Sequence, residues 1–195
     1  MPSSYRSYKE LSKREIEGRD YQIIIVTRPG NILVMAPHGG KIEPGTSEIA
    51  EAIASRDFSL YSFVGLKPTG NSLLHIHSHL YDEPRALRAI KKADIVISIH
   101  GHCDINNSFI MIGGLNTQLC NHIKRKLSDL GYRFRTSSKD LGGKDPNNIC
   151  NRGRQRCGIQ LEISKKLRAS LRNNKEYLNV FAEAIRQAIQ AYLTS

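Results

Sequence analysis

Seven histidines, His38, His75, His77, His79, His100, His102 and His122, are the residues of this 195-residue chain best suited to hold a metal ion. His38 opens the string His38-Gly39-Gly40-Lys41-Ile42-Glu43, where two glycines let the backbone turn sharply and swing Glu43 back toward the imidazole. His100 ends the apolar run 95–99 and is followed at once by Gly101. A neutral imidazole and a carboxylate are both ligands of Zn2+, and three such ligands leave a fourth position open for water, as catalytic zinc sites do. His38, Glu43 and His100 are therefore a candidate set. The alternative for each histidine is a loop or core residue bonded to backbone.

Glu162 is the candidate general base. It lies in Gly158-Ile-Gln-Leu-Glu-Ile163, where Ile159, Leu161 and Ile163 share one strand face and Gln160 and Glu162 the other. A carboxylate in such a run is costly to bury without a partner, and burial raises its pKa toward that of a useful proton acceptor. The competing reading makes Glu162 an outward carboxylate or an ion-pair partner of Arg152, Arg154 or Arg156. His75, His77 and His79 alternate and would chelate an ion if all lay on one strand, but Pro84 soon starts a helix and spoils that alignment. His75 or His79 is then left to line the site, and His77 receives no role.

These residues need a framework that carries strand ends to one place. The apolar stretches 21–26 and 32–36, joined by Pro29-Gly30-Asn31, predict a β-hairpin. Strands are expected at 60–64, 72–76, 94–99, 109–112 and 158–163. Helices are expected from a Ser/Thr cap at 46–47, from Asp82-Glu83-Pro84 to about 93, from 117 to 130, and from 175 to 193. Leu178, Phe181, Ile185, Ile189 and Tyr192 make the last of these a core-facing helix. Alternating strands and helices give an α/β sandwich, one domain over residues 1–195 with a central mixed sheet flanked by helices. In such sheets ligands bind beyond the carboxyl ends of the strands, where His38 and His100 fall.

Composition narrows the partners. Hydrophobic residues at 39% and charged residues at 24% allow a sizeable core. No apolar run approaches the roughly 18 residues that span a bilayer, so no membrane partner is expected. The first twenty residues are polar and lack the apolar segment of a secretory signal. The four cysteines have no zinc-ribbon spacing and read as reduced, mostly buried thiols, with a Cys150–Cys157 disulfide as the alternative. The formal charge is +11, and the whole excess lies between Lys124 and Lys175, which holds 15 basic and 4 acidic residues. An anionic partner follows: nucleic acid, an anionic surface or an acidic polymer. Nucleic acid is disfavoured, because the chain has no Trp, only 7% aromatics and no helix-turn-helix, zinc-finger or RRM signature. A zinc deaminase is disfavoured too, for want of its Pro-Cys-x-x-Cys.

Two strings carry a family resemblance. Ala36-Pro37-His38-Gly39-Gly40 with Ile42-Glu43-Pro44-Gly45-Thr46 resembles the opening motif of the phage-type poly-γ-glutamate hydrolases. Cys150-Asn151-Arg152-Gly153 followed by Gly158-Ile159-Gln160-Leu161-Glu162 resembles their closing motif, and the likeness runs from about Tyr5 to the last helix. That family is similar in fold to the zinc carboxypeptidases, in which a later ligand sits in a Ser-Ile-His strand end, matched here by Ser98-Ile99-His100. The resemblance implies one zinc ion on His38, Glu43 and His100, with Glu162 as base. The chemistry then calls for an arginine at the oxyanion or a neighbouring carboxylate, for which Arg152 is the candidate against a surface cation pairing with Asp145 or solvent, and Asn151, Arg154 and His79 are candidate substrate contacts.

The departures from the carboxypeptidases matter. Their His and Glu ligands lie three positions apart, whereas His38 and Glu43 lie five apart, so the loop must differ. They also grip a terminal carboxylate with an Asn-Arg pair between the first ligands and the second histidine. This chain has no such pair between Glu43 and His100. Cutting inside a polymer fits better than trimming its end. The expectation is a monomeric zinc metalloprotease-like endo-hydrolase of γ-glutamyl amide bonds. It would be made in a host cytoplasm and released by lysis to clear a poly-γ-glutamate capsule during bacteriophage infection.

Overall fold

The structure is a computed structural model, describing residues 5–137 and 141–194. Strands β1 (Tyr21–Val26), β2 (Ile32–Gly40), β3 (Ser59–Gly65), β4 (Ile95–His102), β5 (Ile110–Gly114) and β6 (Ile159–Ser164) form one sheet in the order β1-β3-β2-β4-β6-β5. The inner four run parallel, while β1 and β5 lie antiparallel to their neighbours at the two edges. Helices α1 (Tyr8–Leu11), α2 (Thr46–Ala54), α3 (Pro84–Lys92), α4 (Thr117–Asp129), α5 (Lys165–Asn173) and α6 (Lys175–Leu193) flank it. A mixed sheet between helical layers is the expected α/β sandwich.

Strand alternation divides the core into two layers. Val34, Ile97, Ile99, Leu161 and Ile163 pack with α2, α4, α5 and α6 residues such as Ile53, Ile123, Leu171 and Phe181. Leu33, Met35 and Val96, one position out of phase, pack instead with Ala86 and Ile90 of α3 and with Leu74, Ile76 and Tyr81. Each fully buried aliphatic side chain contributes about 1.5–3 kcal/mol, enough to fix which face of a strand turns which way. The polar residues Ser98, His100, Gln160 and Glu162 continue the second face toward the carboxyl ends of β4 and β6.

Several sequence expectations change. The stretches 21–26 and 32–36 do form strands, but not a hairpin, because β3 lies between them. The continuously buried β2 needs a partner on both edges, and β1, whose Ile24 and Ile25 are 39% and 40% exposed, suits only a sheet edge. The turn chemistry is real, with Gly30 at φ +104°. It delivers the chain into β2 beside β4, and the Asn31 carbonyl accepts from the Asp94 N–H just before β4.

The expected strand at 72–76 is a short 3-10 helix, Asn71–Leu74, followed by irregular chain. Both edges of β3 are already paired, so the segment lies across the sheet face and buries Leu74 and Ile76 there. Helix α2 has Gly45, not a Ser or Thr, at its N-cap, with φ +101°. Helix α5, capped by Ser164, was not expected at all. Its start Ser164 with Leu167 and Leu171 at helical spacing carried the signal. The cysteines are all free, with Cys150 buried, Cys120 and Cys157 half-buried and Cys103 exposed, so the mostly buried set is corrected to one.

Candidate metal centre

The loop after β2 is built to fold back on itself. His38 sits where the β2–β3 register shifts, between Ala36 and Gly39. Gly39 lies so close to β3 that a Cβ would stand 2.7 Å from Ser62 Oγ, and Gly40 adopts φ +61°. The Glu43 N–H donates to the His38 carbonyl at 3.0 Å, closing the five-residue spacing into a turn. The hydroxyls expected to cap α2 hold this turn. Thr46 Oγ1 donates to the carbonyls of His38 and Glu43, and Ser47 Oγ accepts from the Gly40 N–H.

Four donors converge as a result. His38 Nδ1 lies 3.4 Å from Glu43 Oε1 and 3.2 Å from His100 Nδ1, while Glu43 Oε2 accepts from the Gly101 N–H at 2.7 Å. His75 stacks on His38 with ring centroids 3.7 Å apart and brings Nε2 to 3.6 Å from Glu43 Oε1. His38, Glu43 and His75 each offer a ligand atom within 4.8 Å of the others. The structure thus brings together the three residues picked from sequence and adds His75, which the sequence reading left among site-lining candidates.

The donor chemistry fits a cation. His38 Nε2 is 2.7 Å from the Ile76 carbonyl, so it must carry the proton and leave Nδ1 as a lone pair. Where it meets the Glu43 carboxylate at 3.4 Å in a buried place, a proton or a cation must stand between the two. Among the described residues the buried His75 Nδ1 also has no hydrogen-bond partner. Burial, then the neighbouring His38, lowers the pKa of His100 to about 3 and that of His75 to about 4, so both are neutral and ready to ligate. Burial alone would raise the pKa of Glu43, but His38, His75 and His100 outweigh it and hold the carboxylate well below its usual range.

Glu162 is 6% exposed and pairs in register with His100, on the same sheet face. Burial first, then the charge of Glu43, raises its pKa from 4.5 to about 8. Gln160 Nε2 donates to Glu162 Oε1 at 3.0 Å, and Gln160 Oε1 accepts from Asn148 Nδ2 at 2.8 Å. Among the described residues no ion pair joins Glu162 to Arg152, Arg154 or Arg156. Gln160 was readable as the polar residue two positions before Glu162 on one strand face. Arg168 was not: its buried guanidinium donates to the carbonyls of Pro44, His102 and Ile163, tying three site-forming segments together.

The expected substrate contacts separate. Arg152 is half-buried and donates to the Tyr81 carbonyl at 2.7 Å, and the Tyr81 ring lies 6.3 Å from that of His38. Asn151 is corrected: its amide donates to the carbonyls of Gly143 and Asp145 and accepts from the N–H groups of Leu115 and Gly158. Nothing remains for a substrate. Arg154 is corrected as well, because it pairs with Asp94 at 2.7 Å, just before the start of β4. His100 is five residues further along that strand, about 17 Å away. His79 is exposed and stacks on His77, which meets His75, so it ends a row of rings outside the cluster.

The poly-γ-glutamate hydrolase family profile matches residues 5–193. The chain is 38% identical to the Bacillus subtilis UPF0714 protein YndL over 169 residues, covering 86% of this chain and 66% of YndL. It is 37% identical to the SPbeta prophage-derived UPF0714 protein YoqZ of B. subtilis, covering 95% of this chain and 65% of YoqZ. The chain thus spans about two thirds of the length of these curated relatives. A structure of a bacteriophage poly-γ-glutamate hydrolase superposes with a TM-score of 0.94 at 33% identity, over 99% of both chains. A zinc-free structure of YndL superposes with a TM-score of 0.90 at 34% identity, over 97% of this chain and 98% of that one. A metallo-carboxypeptidase from Burkholderia cenocepacia, 14% identical with a TM-score of 0.50, shares the fold over 88% of this chain and 60% of its own.

Proposed function

The chain belongs to the poly-γ-glutamate hydrolase family, and from that premise we propose that it cuts γ-glutamyl amide bonds within poly-γ-glutamate with the help of one zinc ion. The observation that carries the reading is the convergence of His38, Glu43, His75 and His100 on one buried place beside Glu162. His38, Glu43 and His100 hold the ion, and His75 presses on the His38 ring. When bound, zinc activates water near neutral pH and polarises the scissile carbonyl.

The chain's own residues do the rest. The Ile76 carbonyl keeps the His38 proton on Nε2, so that Nδ1 faces the centre. The Gly101 N–H fixes one oxygen of Glu43 and leaves the other beside the imidazoles. Glu162, its pKa raised to about 8 by burial, takes a proton from the attacking water and passes it to the departing amine. Gln160 holds its carboxyl in place. Arg152 receives a negative oxygen, either the oxyanion or a side carboxylate of the polymer.

A polymer with one carboxylate per residue suits the excess of positive charge between Lys124 and Lys175. Similarity to a bacteriophage hydrolase and to a prophage-derived protein supports a lytic setting, in which the released enzyme clears a capsule. Purified protein, as a monomer, is expected to shorten poly-γ-glutamate internally with zinc and to stop when chelated. Full-rate digestion by the chelated, zinc-free protein would sink the proposal.

A further inference from the structure

A second place in the basic tract is shaped to receive an anion. The loop 106–109, the segment 131–135 and the starts of α5 and α6 line an open-sided cavity of about 430 Å3, whose walls include Phe109, Tyr132, Arg133, Arg135, Lys166 and Tyr177. Its cations are not equally committed. Arg135 lies over the Phe109 ring and pairs with Asp104 at 3.2 Å. Among the described residues Lys166 Nζ donates only to the Asn106 carbonyl, which leaves two of its protons for a guest. Arg133 is exposed, and among the described residues its side chain makes no hydrogen bond or ion pair.

The cavity also holds a buried polar group in want of a partner. Tyr132 is 8% exposed, and among the described residues its hydroxyl has only that of Tyr177 beside it, outside ordinary hydrogen-bond geometry. A buried donor left unpaired costs about 1–3 kcal/mol, which an accepting oxygen of a guest would recover. The position is telling too. Phe109 meets the ring of His102, two residues beyond His100 on β4. Ile110, next to Phe109, pairs with Ile163 at the same carboxyl end of the sheet that carries Glu162. From β4 to β5 is two strand spacings, about 10 Å.

We propose that this cavity is a polycarboxylate subsite, in which Arg133 and Lys166 hold side carboxylates of the same polymer strand some residues away from the bond being cut. The assignment rests on the poly-γ-glutamate reading and deepens it. A chain gripped on one side of the scissile bond by its side carboxylates needs no terminal clamp, in keeping with internal cleavage.

The test reads binding apart from cleavage. Poly-γ-glutamate is titrated into the full chain after chelation, comparing wild type with Arg133→Gln/Lys166→Gln. A charge-matched control, Lys91→Gln/Lys92→Gln, removes two lysines from α3. The cavity variant is expected to bind about tenfold more weakly, and the control to stay within about twofold of wild type. In the zinc-loaded enzyme the cavity variant raises KM for long polymer and leaves kcat unchanged. The subsite is overturned if wild type fails to bind, if the cavity variant binds as tightly as wild type, or if the control loses as much. Duplex DNA binding more tightly than the polymer through the same two residues overturns the polycarboxylate assignment. If zinc-loaded protein binds polymer but never shortens it, the hydrolase reading falls and the subsite stands.

Discussion

His100 and Glu162 are register partners across the parallel pair β4 and β6 and project from the same face of the sheet. One thus belongs to the proposed ligand set and the other is the proposed base, held apart by a single strand spacing. The sheet itself sets their separation, so neither depends on a mobile loop for its place. That arrangement separates metal holding from proton transfer, and the two are testable apart.

Glu162→Gln keeps the shape of the side chain and its contact with Gln160 but cannot take a proton. It is expected to retain wild-type zinc content and to lose about 10³-fold in turnover of poly-γ-glutamate. Metal analysis beside a polymer-size assay checks both. A variant that turns over at wild-type rate removes Glu162 from the mechanism.

The same residue governs the pH dependence of the metal-free protein. Its pKa is about 8 in the fold against 4.5 as its ordinary value. Between those values the native state keeps a proton that the unfolded chain releases. The Glu162 contribution is therefore full below about pH 4.5 and is lost as pH rises through 8, at about 1.4 kcal/mol per pH unit, and it shows by itself only above about pH 6.5, because His75 and His100, lowered to about 4 and about 3, add the opposite dependence below that. Thermal melts of chelated protein should show this fall in wild type and a shallower one in Glu162→Gln. Parallel curves would contradict the buried-carboxyl account.

Metal affinity distinguishes the imidazoles. His38→Ala and His100→Ala are each expected to weaken zinc binding by about 100-fold or more, while His75→Ala costs about tenfold through the lost stack on His38. Competition with a chromogenic chelator measures all three. A His75 loss equal to that of His100 would make His75 a full ligand.

Asn151→Ala removes a hydrogen bond from four backbone groups at once, of which the Asp145 carbonyl keeps the Asn148 N–H. Destabilisation of about 3–5 kcal/mol is expected in denaturant unfolding, since buried groups left unpaired cost about 1–3 kcal/mol each. If stability is unchanged and only KM rises, Asn151 is a substrate contact after all.

Much of the centre was legible because glycines and strand ends mark it. His38-Gly39-Gly40 and His100-Gly101 stand where apolar runs stop, and Glu162 interrupts another. Local chemistry misled where partners come from far away. Pro29-Gly30-Asn31 makes a turn, yet the strand that pairs with β2 arrives from residues 59–65. Asn151-Arg152 looked like a functional pair, but only the tertiary fold shows that the amide is consumed by residues 115, 143, 145 and 158. His75 was hidden for the same reason, since its approach to His38 depends on how 71–82 crosses the sheet.

The segment leading to β6 runs from Asn151, which clasps the start of that strand at Gly158, past Ala93 and Asp94 just before β4, and the strand then returns to Glu162. Its tip, residues 154–156, is exposed. Lengthening that tip would be absorbed in solvent, while Asn151 and Gly158 stay clasped and Glu162 keeps its register. The tip is accordingly the natural attachment point for a tag, a fluorophore or an inserted peptide, one from which chemistry at the other end of the strand can be observed without disturbing it.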